Sequence, residues 1–398
     1  MFDLIYSLMM SVVYILAALL VIILYRCFVH PYYIRWKYRR YPNVKMSKWH
    51  FPIFGDFINY QRDIDQGKVY YYHLKDDSEE LSNCDIRLEI LGSKHAFKIV
   101  SQEAHRQFDE LHPDKIDRIC EKLGAGKIFP NAFGNIRCTK SFTERRTLFM
   151  KVLSLNSSSR YIPAMLKCCE EVVNKWKVGG TYGSIFEMNT IAFLIFTHVM
   201  FGEDTHHVAE KRLDYEDANG VIQNISLKDF FINVIRDFMN GWSHFVTLVA
   251  PFLNQYNLVN PFRRNQRNFM TFRKALLEAI ESSKDKNSIC QQVFADKTID
   301  KEIIFEDLFG FMFAGTETSS HSMTSALYYL YKNPDKLAIL LKELEDAGLK
   351  RFEKHDDLYT LDKLQELNYL HYVVKEALRL DGPAFVSLDH YTYDDVTI

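Results

Sequence analysis

Two segments of this sequence place acid–base residue types at regular spacing. Phe313-Ala314-Gly315-Thr316-Glu317-Thr318-Ser319 sets a carboxylate beside a hydroxyl at the end of an apolar run from Leu308 to Gly315. Helical spacing puts Phe311, Ala314, Gly315 and Thr318 on one face. Two small residues there let a flat ligand approach the backbone. Thr318 can bond back to the carbonyl of Ala314, which bends the helix and opens a groove able to hold water or a diatomic molecule. Glu317 beside it can pass protons inward. By itself the string also fits a helix–helix contact in which Gly315 allows close packing and Glu317 is solvated. The second segment runs from Tyr369 to Leu380, where Glu376 and Arg379 stand at i, i+3 and can pair on one helical face. Taken alone, that is an ordinary surface ion pair worth at most about 1 kcal/mol.

Both segments need helices to carry them. Asp300 is placed to cap a helix, with Ile299 and Ile304 as a hydrophobic staple. The periodic pattern then runs to about Tyr331, where Asn333-Pro334 stops it. Such a helix is about 45 Å long. The pattern predicts further helices over 101–111, 139–154, 160–176, 184–201, 227–250, 264–283, 334–346 and 361–380. Residues 84–100 alternate in polarity around Gly92-Ser93-Lys94 and predict a β-hairpin. The fold class expected is therefore mainly α with a small β-sheet near its start.

The chain has 398 residues, 47% of them hydrophobic, enough for a sizeable core. Its net charge of −2 gives no global basic field for nucleic acid. Seven cysteines (Cys27, Cys84, Cys120, Cys138, Cys168, Cys169 and Cys290) with no CxxC pair indicate neither a disulfide framework nor a zinc site. Cys168-Cys169, with Met165 and Val172, reads as packing. Leu4 to Tyr25 carries no formal charge and spans roughly 33 Å as a helix, about one hydrocarbon core. Asp3 precedes it, and Arg26, Arg35, Lys37, Arg39, Arg40, Lys45 and Lys48 follow, which predicts a single-span anchor with the basic side in the cytosol. A cleaved signal peptide fits less well, because the basic residues follow the apolar run; a buried core helix is a third reading. Tyr25, Tyr32, Tyr33 and Trp36 are placed for the interface. The expected organisation is an anchor over 1–26, a basic, proline-bearing linker over 27–55 and a globular domain over 56–398.

Together the two segments resemble the cytochrome P-450 family, the haem-thiolate monooxygenases. Ala314-Gly315-Thr316-Glu317-Thr318 resembles the family's oxygen-activation motif on its long central helix. Asn333-Pro334-Asp335-Lys336 opens the next helix as it does there. Leu361 to Arg379 resembles the approach to the Glu-x-x-Arg motif, and Pro383 and Asp395-Val396-Thr397-Ile398 resemble the family's segment just after that motif. Phe142-Thr143-Glu144-Arg145-Arg146 stands where the family usually has Trp-x-x-x-Arg, with Phe142 in place of the Trp. Phe201-Gly202-Glu203-Asp204, the hairpin, the anchor and the linker also agree with the microsomal members.

The resemblance implies a haem cofactor. It implies Glu317 and Thr318 as the proton-delivering pair, Ala314 and Gly315 against the macrocycle, and Arg146 and His390 as basic residues for the propionates. Glu376 and Arg379 would hold the fold around the haem. It further implies a small apolar substrate, a membrane-bound reductase and the endoplasmic reticulum membrane, with the catalytic domain facing the cytosol. The family's axial ligand is a Cys in a loop downstream of the Glu-x-x-Arg helix. Here the sequence closes 19 residues after Arg379 and no cysteine follows Cys290. The expectation is thus a chain cut short before that loop, inactive as it stands and with doubtful haem binding. The alternative is a non-catalytic, membrane-anchored protein that keeps the scaffold as an interaction surface. Gly124-Ala125-Gly126-Lys127 lacks the spacing of a phosphate loop. His206-His207 with Glu210 reads as surface or core rather than metal. The apolar stretch 229–252, with Phe230, Phe231, Val234, Phe238, Trp242, Phe245 and Leu248, fits either core packing or, by resemblance, the roof of a substrate channel.

Overall fold

The computed structural model describes residues 2–47, 50–52, 54–56, 58, 62, 84–91, 94–118, 130–177, 179–202, 206–242, 260–349, 359–383, 390–393 and 395–396. The Gly92-Ser93 turn, Gly124 to Lys127, Glu203-Asp204, Phe245, Leu248 and Thr397-Ile398 lie outside them. So do the side chains of His206, His207, Phe238 and Trp242. The chain forms two compact units: 1–117 with 239–262 and 390–398, and 118–238 with 263–389.

In the first unit, α1 (Phe2–Leu24) runs through a π turn (Tyr25–Val29) into α2 (His30–Tyr38). Pro31 has no N–H to donate to the carbonyl four residues back, and the turn before it takes the wider form, with the His30 N–H bonded to the Tyr25 carbonyl. The α1 side chains from Ile5 to Leu24 are exposed apart from half-buried Met10. Next comes a three-stranded sheet. β1 (Val44–Met46) lies parallel to β2 (Ile86–Leu91), and β2 pairs antiparallel with β3 (Lys94–Ile99) in the register Leu88↔Phe97.

The predicted hairpin is therefore present, but its first strand is not half-exposed. Leu88 and Ile90 join Ile34 of α2 in a small core, while Arg87 and Glu89 on the other face are buried too. The pair survives burial because Arg87 lies 3.4 Å and Lys98 2.7 Å from the Glu89 carboxylate. α3 (Gln102–Leu111) is capped by Ser101, whose hydroxyl accepts from the Ala104 N–H at 3.1 Å. β4 (Ile116–Arg118) pairs with the short strand His390–Thr392.

The second unit holds the main core. A 3-10 turn (Phe133–Asn135) leads to α4 (Lys140–Val152), α5 (Leu155–Ser159), α6 (Ile162–Val173), α7 (Ser184–Phe201) and α8 (His206–Ala209). A hairpin of β5 (Arg212–Glu216) and β6 (Ile222–Ser226) precedes α9 (Leu227–Trp242). Then come α10 (Asn260–Ser282), α11 (Ile289–Phe294), α12 (Lys301–Lys332), α13 (Pro334–Asp346), α14 (Leu361–Glu366) and α15 (Asn368–Leu380). Phe193, Phe230, Phe231, Phe272 and Phe309 interlock at the centre, with Phe193–Phe231 centroids 5.2 Å apart and Phe231–Phe272 5.4 Å. In the stretch 229–252, Phe230, Phe231 and Val234 are core residues. Cys168 and Val172 are core residues as well, so the cysteine pair packs as its spacing suggests. α7 is apolar enough to cross a membrane, but more than half of it is buried against its neighbours, which makes it a core helix.

Candidate active site

The long helix α12 carries the site, and its bounds follow from its ends. The Asp300 carboxylate accepts from the Glu302 N–H at 2.8 Å, and Pro334 starts the next helix directly after Asn333. Over 32 residues α12 passes from core to surface. Ile304, Phe305, Leu308, Phe309 and Met312 are buried; Ala314 and Ser319 are exposed.

The residues placed on one face by simple helical spacing take different neighbours. Phe311 packs against Phe133 and Phe149, with centroids at 4.9 and 4.7 Å. Gly315 meets α7 instead: a Cβ there would lie 2.8 Å from the Phe196 ring. Its missing side chain serves close helix packing. Ala314 presents a methyl group to the open side. Thr318 bonds back to the Ala314 carbonyl at 2.7 Å, as its type and position predict. Ser322 and Thr324 repeat the pattern onto Thr318 and Ser320, both at 2.8 Å, and Ser320 bonds the Glu317 carbonyl at 3.0 Å, so four hydroxyls load the carbonyls of this stretch.

Glu317 is half-buried, and burial pushes its carboxyl above the usual range, with His321 one turn on pulling the other way. Burial thus favours the protonated form of this carboxyl. His321 stands 3.3 Å from Asp381, whose carboxylate also accepts from the Ser325 hydroxyl at 2.7 Å. Asp381 ends α15, so this cluster ties the Glu376 helix to α12. No sequence signal announces it, since its members are about sixty residues apart and none belongs to a spaced motif.

α4 is fixed to α12 by a buried ion pair. Arg145 donates from Nε to Asp307 Oδ2 at 2.8 Å and from its other nitrogen to Oδ1, and also reaches the Asn131 carbonyl at 2.5 Å. Asp307 further accepts from the Phe133 N–H at 2.5 Å, while Glu306 takes the Asn131 N–H at 2.5 Å and its side-chain amide at 3.1 Å. Arg146, the residue singled out from sequence, points the other way. It is exposed and has no hydrogen bond or ion pair among the described residues. Phe142 stacks near Phe133 at 5.8 Å and lies under the Arg118 guanidinium at 4.3 Å, a position that an aromatic ring fills without an N–H donor.

On α15, Glu376 and Arg379 form a two-bond fork with both distances 2.7 Å. They are 55% and 66% exposed, so the pair adds little stability in this state. The helix predicted over 361–380 breaks at Leu367 into α14 and α15. The orphan Tyr369 and Leu370 N–H groups are taken by the Glu343 carboxylate of α13 at 2.7 and 2.9 Å. His390 belongs to the first unit, where its ring packs edge-on against Phe108 and His112 at 5.2 and 5.4 Å.

Comparison with known proteins decides the family. The family profile "Cytochrome P450" matches residues 130–398, from the Asn131–Phe133 clamp to the last residue. The chain belongs to the cytochrome P450 family. It is similar to Ent-kaurenoic acid oxidase 1 of Arabidopsis thaliana, 25% identical over 239 residues, 59% of this chain and 45% of the relative. It is also similar to Cytochrome P450 monooxygenase BOT4 of Botryotinia fuckeliana, 27% identical over 290 residues, 69% and 51% of the two chains. Over a shorter stretch of 79 residues it is 40% identical to Cytochrome P450 6a8 of Drosophila melanogaster, 20% of this chain and 15% of that one. The chain spans about half the length of the first two relatives.

Cytochrome P450 membership implies haem. Three observations bear on a fit: Ala314 gives an exposed methyl at mid-helix, the Thr318 hydroxyl is turned onto the carbonyl below, and Arg146 is exposed with no side-chain partner among the described residues. Two of the thiols do not fit as the ligand. Cys168 and Cys290 are buried in the apolar core, and burial pushes the Cys290 thiol well up, away from the thiolate form.

Proposed function

We propose that these residues form the membrane-anchored, oxygen-side part of a haem-thiolate monooxygenase of the endoplasmic reticulum, with its catalytic domain in the cytosol. The observation that carries this reading is the half-buried Glu317 beside Thr318 and the exposed Ala314, in the middle of α12. In this reading Ala314 lies against the macrocycle, Gly315 lets α12 and α7 come close enough to set that surface, and Arg146 holds a propionate through charge-assisted bonds. Glu317 would take a proton from the solvent side, and Thr318 would receive one at Oγ1 as its own O–H, turned away from the Ala314 carbonyl, passes a proton on. Glu376 and Arg379 brace the fold. When bound through a thiolate, the haem supplies oxygen activation. Members of the family oxidise apolar substrates with electrons from a reductase; the same partners are proposed here, namely a small apolar substrate and a membrane-bound reductase.

Residues 1–398 by themselves hold no cysteine after the Glu376 helix. We therefore propose that a polypeptide of these residues alone is inactive in monooxygenation. The test is a titration of the full chain with hemin, followed by the absorbance of the reduced, carbon-monoxide-bound form. Expected is weak, saturable binding with no thiolate-type Soret band, weakened at least tenfold in Ala314→Phe. Binding that Ala314→Phe leaves unchanged overturns the assignment of this surface. A thiolate-type band overturns the inactivity.

A further inference from the structure

A concavity of about 590 Å³ opens between α2 and β1 in the first unit. Its wall carries Arg35, Arg39 and Lys45 together with Tyr32, Trp36 and Tyr41, and among the described residues no acidic side chain lines it. Tyr32, Arg35, Trp36 and Arg39 stand at i, i+3, i+4 and i+7, one continuous face of α2 and its C-cap. Arg35 is fixed in place, donating to the Ser47 carbonyl at 2.8 Å, while the Ser47 hydroxyl is held by buried Arg87 at 3.0 Å. Arg39 and Lys45 have no hydrogen bond or ion pair from their side chains among the described residues. Three cations thus share one hollow with no acidic side chain among its described lining residues, which favours an anion there.

The position of the hollow says which anion. α1 and α2 are continuous through the π turn, so the hollow lies at the foot of the apolar helix. Phe28, Val29, Tyr32, Tyr33 and Trp36 are exposed and carry lipid-facing character down to its rim, as interfacial belts do. Side chains on a helix lean toward its N-terminus, here back toward α1. We propose that this hollow binds the headgroup of an anionic membrane phospholipid, with Arg39 and Lys45 on the phosphate and carboxylate, Arg35 as the fixed wall, and Trp36 and Tyr41 against the glycerol. The proposal rests on α1 being a membrane span.

The test uses the full chain in nanodiscs of phosphatidylcholine with and without phosphatidylserine, each lipid supplied as a headgroup-proximal photocrosslinker and the adducts mapped by mass spectrometry. Expected is preferential phosphatidylserine labelling within residues 32–47, reduced roughly tenfold or more in the Arg39→Gln/Lys45→Gln double variant. Lys177→Gln, in the other unit, should change nothing. Equal labelling by the two lipids, or native-like labelling of the double variant, overturns the proposal. Displacement by millimolar inorganic phosphate also overturns it and marks a site for soluble anions. Carbonate extraction of the same membranes distinguishes loss of the span from loss of the site. A chain washed out by carbonate removes the span and the site together, and a retained chain without phosphatidylserine preference removes the site alone.

Discussion

Asp307 sits under opposed pulls. Burial raises its carboxyl above the usual range, while Arg145 and the Phe133 N–H favour the charged form and Glu306 works with burial. The net direction is upward, so this pair is a positioning device more than a source of stability. Asp307→Asn leaves Arg145 buried and half-partnered, which should cost about 3–5 kcal/mol in urea unfolding. Arg145→Met/Asp307→Leu together should recover most of that; a double variant as weak as the single would show that the pair itself stabilises. Glu317 behaves differently, because its side chain has no hydrogen bond or ion pair among the described residues and only the charge of His321 opposes burial. Its folded-state value is raised, so its contribution to stability is complete below the ordinary value of 4.5 and is lost as pH rises through the folded-state value. Glu317→Gln should flatten that limb of the stability–pH curve, seen as denaturation midpoints from about pH 4 to about pH 8. An unchanged slope would mean that Glu317 is solvated and is no proton store.

At the scale of elements, the contact of α7 with α12 depends on one missing methyl group. Gly315→Ala forces the Phe196 ring aside and should cost about 1–3 kcal/mol, with Phe196→Leu in the same chain relieving part of it. If Gly315→Ala is neutral by thermal unfolding, the close approach is not needed. α15 depends on a carboxylate from another helix. Glu343→Ala should cost about 1–2 kcal/mol and speed amide exchange at Tyr369 and Leu370, with the centre of α12 unaffected. These two features mark the limit of what the sequence could tell. The ends of α12, its Asp300 cap, the Thr318 back-bond and the Glu376–Arg379 fork were all legible, because each rests on residues within four positions of one another. Glu343 lies 26 and 27 residues from the amides it caps, and Arg145 lies 162 residues from Asp307. No local pattern announces such pairs. The Leu367 break was hidden for the same reason, since the polar periodicity continues across it. The β5–β6 hairpin was missed because only β5 alternates, Leu213 and Tyr215 between charged residues, over just five positions, while Gln223-Asn224 breaks the period in β6. Gly315 was legible as a small residue but not as one turned toward Phe196 rather than toward open space.

For the whole molecule, α1 is the feature with the most physical leverage, a bare apolar helix that either anchors the chain or is removed as a signal. The anchor reading predicts that mature chain from membranes begins at or near Met1 and resists carbonate; a new N-terminus beyond residue 24 would favour the signal. If the helix stays, the π turn at Tyr25–Val29 acquires a role beyond joining two helices. One residue advances an α-helix by about 100°, and a π turn is how a helix takes in one residue without breaking. The turn therefore sets the phase of α2, independent of how long the span is. Deleting one residue from Tyr25–Val29 should restore ordinary winding, swing the Arg35–Arg39 face away from β1 and break the Arg35–Ser47 bond, while the apolar stretch above stays the same length. Depth in the bilayer and direction of the basic face are thus separately adjustable in this chain, one by the length of α1 and the other by a single turn.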